Sequence, residues 1–167
     1  MLMKKHTCCF TGHRPQSLPW GYNEDVPECV QLKKRLYDEI ESAVKNEYSH
    51  FIFGAALGAD TYAAEQVLLL KKKYKHITLE AAIPCPSQSA RWTSASKERY
   101  ERILALCDKK TLISPSYTYA CMHERNRYMV DNSSLLIAIY NGGPGGTANT
   151  VDYAERQGLD IKLVRWM

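Results

Sequence analysis

No apolar run in this 167-residue chain approaches the roughly 20 residues a helix needs to span a bilayer, so a helical membrane protein is not expected. The opening Met1 to Phe10 lacks the long apolar region and small-residue cleavage site of a signal peptide, which makes the cytoplasm the expected compartment. An excess of one charge is also missing. Twenty-two Lys and Arg stand against 18 Asp and Glu, for a net +4. That balance is too mild for a strongly basic nucleic-acid groove. The run Lys71-Lys72-Lys73 with Lys75 reads as a solvated helix end, where cations suit the dipole. The six cysteines, at 8, 9, 29, 85, 107 and 121, form no Cys-x-x-Cys pair and no compact Cys/His cluster. Reduced, buried thiols are expected, and no metal site. No repeat or linker divides the chain, so residues 1–167 read as one domain with a sizeable core.

What is present is centred on Asn141-Gly142-Gly143-Pro144-Gly145-Gly146-Thr147, directly after the apolar run Leu135 to Tyr140. Such a run suits a strand buried on both faces, as in a parallel sheet. The residues after the turn begin a helix. A strand, a glycine turn and a helix start make an anion site, because backbone N–H groups point outward and the dipole favours negative charge.

The rest of the chain repeats that alternation. Strands are predicted at Thr7–Thr11, His50–Phe53, Ile77–Ile83, Thr111–Ile113, Leu135–Tyr140 and Ile161–Val164. Between the first two, Leu32, Leu36, Ile40, Val44 and Tyr48 recur every four residues on a helix that Asp25 would N-cap. Further helices are expected through Ala63 to Leu70, Lys97 to Leu106, Tyr119 to Asn132, and from the glycine turn to Gly158. Alternating strands and helices imply an α/β fold: a Rossmann-like three-layer αβα sandwich with a mostly parallel sheet of about six strands.

Candidate ligand residues cluster after the strands, where open α/β sheets bind ligands. Gly12, His13 and Arg14 follow the first strand; Arg14 can fork onto a phosphate, and His13 can donate a hydrogen bond or move a proton. Gly54 and Gly58 follow the second and imply close approach of a ligand or backbone, with Asp60 as N-cap, first-turn acid or partner of a ribose hydroxyl. In the third loop Gln88, Arg91 and Trp92 read as exposed; Trp92 either stacks on a base or pins the loop. Arg125 and Asn126 lie on the polar face of the fifth helix with His123, Glu124 and Arg127. Gly142, Gly143, Gly145, Gly146 and Thr147 would cradle phosphate.

These residues resemble the SLOG superfamily of Rossmann-like domains, and within it the YpsA-like branch. Thr11-Gly12-His13-Arg14-Pro15 is the branch-specific element; the segments 54–60, 88–92 and 129–147 carry the rest, so the likeness covers nearly the whole chain. Met122-His123-Glu124-Arg125 and Gly145-Gly146-Thr147 are similar to motifs of cytokinin-activating phosphoribohydrolases. In those motifs Asn126 replaces a lysine, and Thr150 stands where the resemblance implies a catalytic glutamate. A threonine cannot supply that negative charge, although Asp152 or Asp60 could substitute; Asp60 and Arg125 are the catalytic candidates. Segments 58–64 and 125–127 are similar to the DNA-processing protein DprA, which the mild charge argues against as a functional model.

The reading that results is binding or sensing of a nucleotide-derived small molecule with ribose and phosphate, such as ADP-ribose, with no cofactor implied beyond that ligand. Phosphoribohydrolase-like cleavage and single-stranded DNA binding are the alternatives. Related families assemble as dimers, which makes a homodimer the expected assembly.

Overall fold

In the computed structural model, which describes residues 2–166, six strands form one sheet and all five pairings are parallel. The strands are β1 (Thr7–Gly12), β2 (His50–Phe53), β3 (Thr78–Ile83), β4 (Lys109–Leu112), β5 (Leu135–Ile139) and β6 (Asp160–Val164), in the spatial order β4-β3-β2-β1-β5-β6. The helices are α1 (Leu2–Lys5), α2 (Pro27–Lys45), α3 (Ala59–Lys71), α4 (Ser94–Leu106), α5 (Cys121–Asp131) and α6 (Gly146–Arg156). The short α1 carries no periodic signal and was not anticipated.

The pleat sorts side chains into two cores. Cys8, Phe10, Phe51, Phe53, Ile137 and Ile139 pack with α2 and α3 on one face. Cys9, Ile52, Leu136 and Ala138 pack with α5 and α6 on the other. The adjacent cysteines 8 and 9 thus point to opposite faces, as alternation requires. The four-residue stripe holds for Leu32, Leu36, Ile40 and Val44, all buried on α2. Tyr48 falls beyond the helix end, in the turn before β2.

Asp25 does not cap α2. Val26 is the N-cap, extended at φ −67° and ψ 147°, with no side-chain cap bond. Pro27 dictates this, because a residue before proline is driven out of the helical region. Helix α4 starts three residues earlier than its apolar spacing suggested, at a Thr93 cap whose Oγ1 accepts from the Ser96 N–H at 3.2 Å. Strand β4 starts two residues early for a different reason. It is an edge strand whose exposed Lys109 and Lys110 resist edge-to-edge pairing, so it carries little apolar signature.

On the α5 face a polar network crosses three strands. His50 Nε2 lies 2.7 Å from Glu80 Oε1, and Thr111 Oγ1 and Tyr128 OH donate to Glu80 Oε2 at 2.7 and 2.5 Å. Burial alone would raise the Glu80 carboxyl, but hydrogen bonds from His50, Thr111 and Tyr128 outweigh it and hold it at about 2, against an ordinary 4.5. The depressed value means the contribution is present above the unfolded carboxyl's range and is lost as pH falls from about 4.5 toward 2. Glu80→Ala leaves three polar groups short of a partner. It should lower unfolding free energy by about 3 kcal/mol in urea titration at pH 7. The deficit should shrink in acid; an equal deficit at pH 7 and pH 3 would contradict this account.

Candidate functional site

Strand order reverses between β1 and β5: β2, β3 and β4 run outward on one side, β6 on the other. Crossovers diverge there and leave a crevice beyond the strand ends. The loops that open it are Gly12-His13-Arg14 and the glycine turn before α6. A cleft of about 450 Å³ fills this position, lined among others by Gly12, His13, Arg14, Asp60, Arg125, Asn126, Gly146 and Thr147. The fold therefore brings eight of the sequence-derived candidates to one surface.

Two of the glycines serve packing. A Cβ on Gly12 would sit 2.4 Å from the Ala59 Cβ, so its absence lets α3 abut the end of β1. Gly58, at φ +82°, leaves room for the His13 carbonyl, which accepts from the Ala59 N–H at 3.0 Å. Gly54 has a different role. A Cβ there would lie 2.7 Å from Asp60 Oδ2 and 3.0 Å from Arg125 Nη1, so the bare backbone lets these two groups approach. Neither Gly54 nor Gly58 lines the cleft.

Asp60 is not the N-cap of α3; Gly58 is, and Asp60 is the first-turn acid. Its Oδ2 accepts from the Ala56 N–H at 3.3 Å. Burial pushes the Asp60 carboxyl above its ordinary value, while Arg125, the Ala56 N–H and Arg14 pull it back only in part. Arg125 is no surface residue either. With Cys121 and Met129 it forms the i, i+4, i+8 stripe that α5 turns inward, and only 5 % of it is exposed. Burial lowers its guanidinium, against the pull of Asp60. Nη1 donates to the Gly54 carbonyl and Nε to Asn126 Oδ1 at 2.8 Å, which fixes the fork.

The other side of that fork is weakly satisfied. Arg125 Nη2 reaches only Met122 Sδ, at 3.9 Å, and Arg14 Nη2 approaches the same sulfur at 3.6 Å. Two guanidinium groups thus converge on a thioether, a poor acceptor, with Asp60 as the carboxylate beside them. On the opposite wall, Gly145 caps α6 without any side-chain bond. Gly142, Gly143 and Gly145 all have φ between +95° and +129°, and open space surrounds their Cβ positions. None of these three glycines lines the cleft, which the glycine turn reaches only through Gly146 and Thr147.

Other candidates sit differently. His13 packs edge-on against Trp166 (5.6 Å between ring centres) and tilted against Tyr140 (5.8 Å), and burial lowers its imidazole. Trp92 faces an adjoining recess with Gln88 and Arg91 and packs edge-on against Tyr100 at 5.1 Å, which pins the third loop. Gln88 is turned inward rather than exposed: its Nε2 donates to the Ala55 carbonyl at 2.9 Å and to Tyr100 OH at 3.2 Å. That bond steadies Ala55 in a left-handed conformation, φ +62°, which costs a non-glycine residue about 1 kcal/mol. Thr150 does not line the cleft but an adjoining groove between α5 and α6 that shares His123 and Asn126 with it, and its hydroxyl donates to the Gly146 carbonyl at 3.0 Å. Gln16 and Ser17 also line the cleft and had no sequence signal, since only the 3-10 turn at Pro15–Ser17 carries them there.

Fold and crevice together define a Rossmann-like domain with its open cleft at the topological switch point. The chain belongs to the YspA SLOG family, whose model matches residues 8–166. It is 34% identical over 152 residues to the SPbeta prophage-derived protein YoqJ of Bacillus subtilis, covering 83% of this chain and 89% of that one. A UPF0398 protein of Bacillus pumilus is 27% identical over 133 residues, 78% of this chain and 71% of its own. Among solved structures, DprA from Streptococcus pneumoniae superposes with a TM-score of 0.64 at 17% identity. DprA from Helicobacter pylori, described for its single-stranded DNA binding mode, gives 0.64 at 15%. These superpositions cover 97% and 96% of this chain but only 51% and 65% of the DprA chains. At such identities they establish the shared fold alone.

The packing glycines and those of the open turn should separate by experiment. Gly12→Ala drives a Cβ into Ala59 and should cost about 2–3 kcal/mol in denaturant unfolding. Gly143→Ala meets no atom and should cost only its backbone strain, about 1 kcal/mol. Equal losses would remove the close approach as the reason for glycine at position 12.

Proposed function

We propose that this domain binds a small, phosphate-bearing, nucleotide-derived ligand in the switch-point cleft. One observation carries the reading: the exposed Arg14 and the buried Arg125 converge on the sulfur of Met122, with no good acceptor between them. A phosphate there would accept charge-assisted, forked hydrogen bonds from both. The free N–H groups at the start of α6 would meet a second anionic oxygen. Asp60 would accept from a ribose hydroxyl, and the recess holding Trp92 would receive the base, since the His13 ring is already covered by Tyr140 and Trp166.

Binding rather than glycosidic cleavage is favoured because the position aligned with the catalytic glutamate of phosphoribohydrolases is Thr150, whose hydroxyl serves the α6 backbone outside the cleft.

A thermal-shift series with AMP, ATP, NAD, ADP-ribose and a short single-stranded DNA tests this, with mass spectrometry of each ligand after incubation. A nucleotide at about 100 times its dissociation constant should add about 2.7 kcal/mol, a melting shift on the order of 5–10 °C, and should be recovered intact. Arg14→Ala should weaken binding by about tenfold or more, since it removes a charge-assisted bond without disturbing the core. Recovery of free base would make the protein a hydrolase, and a shift by DNA alone would make it a strand binder.

A further inference from the structure

The outer surface carries a further concavity, of about 750 Å³, between α3 and α4 and away from the switch-point cleft. Its floor is aliphatic: Leu68, Leu69, Ile103 and Leu106, of which Leu69 is 48% and Leu106 60% exposed. Its rim is basic. Lys71 and Arg99 are neutralised by Asp108 (2.5 Å) and Glu65 (2.6 Å), but Lys72, Lys75 and Arg102 have no ion-pair partner among the described residues. The lysine run that reads in sequence as a solvated helix end is therefore split. Lys73 turns to Glu41 on α2, while Lys72 and Lys75 flank the groove.

We propose that this groove docks an acidic amphipathic helix of a partner protein. A helix laid between α3 and α4 would place leucine-type anchors over Leu69 and Leu106 and its carboxylates against the three unpaired cations. From Glu65 to Lys72 the groove wall runs roughly 10 Å, so about two turns of helix would lie against it. A second copy of the chain fits poorly, because a two-fold contact would set the basic rim of one copy against the same basic rim of the other. Single-stranded nucleic acid fits poorly too. It needs aromatic platforms for its bases, and the lining has none.

The full chain would be titrated with a synthetic Leu/Glu amphipathic peptide of about five turns, and with the same peptide carrying Lys for Glu, reading amide chemical shifts. The acidic peptide should bind, weaken as salt rises, and shift residues of α3 and α4 only; the lysine peptide should not bind. Lys72→Glu with Lys75→Glu should reverse that preference, weakening the acidic peptide at least about tenfold. Leu69→Ser should weaken it while leaving its salt dependence intact. These side chains are exposed, so circular dichroism should be unchanged in each variant. Absence of binding at about 1 mM acidic peptide, shifts mapping elsewhere, oligo-dT shifting the same residues more strongly, or self-association that Leu69→Ser abolishes would each overturn the proposal.

Discussion

The approach of helix α3 to the end of β1 governs this structure. With no side chain at position 12, the Ala59 Cβ reaches the space a Cβ would occupy, and the Ala59 N–H takes the carbonyl of His13. That contact fixes where the first turn of α3 sits relative to the switch point. Asp60 is one residue further on, so its carboxylate is delivered to the cleft floor by the same contact. Gly58 and Gly54 then act in sequence: one admits the β1 loop, the other admits Arg125 beside Asp60. These three glycines are the conditions for burying the Asp60–Arg125 pair at the cleft floor.

Burying that pair is costly, and the directions of its shifts show it. The Asp60 carboxyl is raised and the Arg125 guanidinium lowered, each by burial that the other only partly offsets. The Gly54 carbonyl and Asn126 orient the guanidinium but satisfy one edge of it. Arg14, on the opposite lip, adds a second positive charge that disfavours the first. Desolvated, partly compensated charges of this kind occur at functional sites, and the proposed anion would add a partner for the two cations.

The sequence carried the architecture well, because both of its signals are periodic. Parallel strands buried on two faces read as apolar runs, and α2 reads as a four-residue stripe. Legibility failed where tertiary context overrides the local pattern. Arg125 stands among His123, Glu124 and Arg127 and looks solvent-facing, yet helical phase aligns it with Cys121 and Met129. Gln88 sits in a polar loop and looks exposed, but it is spent on holding Ala55 in a left-handed turn. Capping by Asp25 failed to a rule one residue away, the extended backbone that Pro27 imposes on Val26. Nothing local could have shown that Arg14 and Arg125, 111 positions apart, converge on one sulfur.

Distance along the chain also explains why similar motifs need not mean similar chemistry. Gly145-Gly146-Thr147 resembles the phosphate turn of phosphoribohydrolases, and the glycine conformations at the start of α6 suit an anion. Cleavage of a glycosidic bond needs more: a carboxylate where positive charge develops on the ribose. One helical turn beyond Gly146, the Thr150 hydroxyl is committed to the Gly146 carbonyl and faces the α5–α6 groove. Asp60 lines the cleft, but its raised carboxyl and its tie to the Ala56 N–H fit a fixed hydrogen-bond acceptor better than a free anion beside a reacting carbon. Two guanidinium groups beside one tied carboxylate therefore support the proposal of phosphate binding over that of glycosidic cleavage.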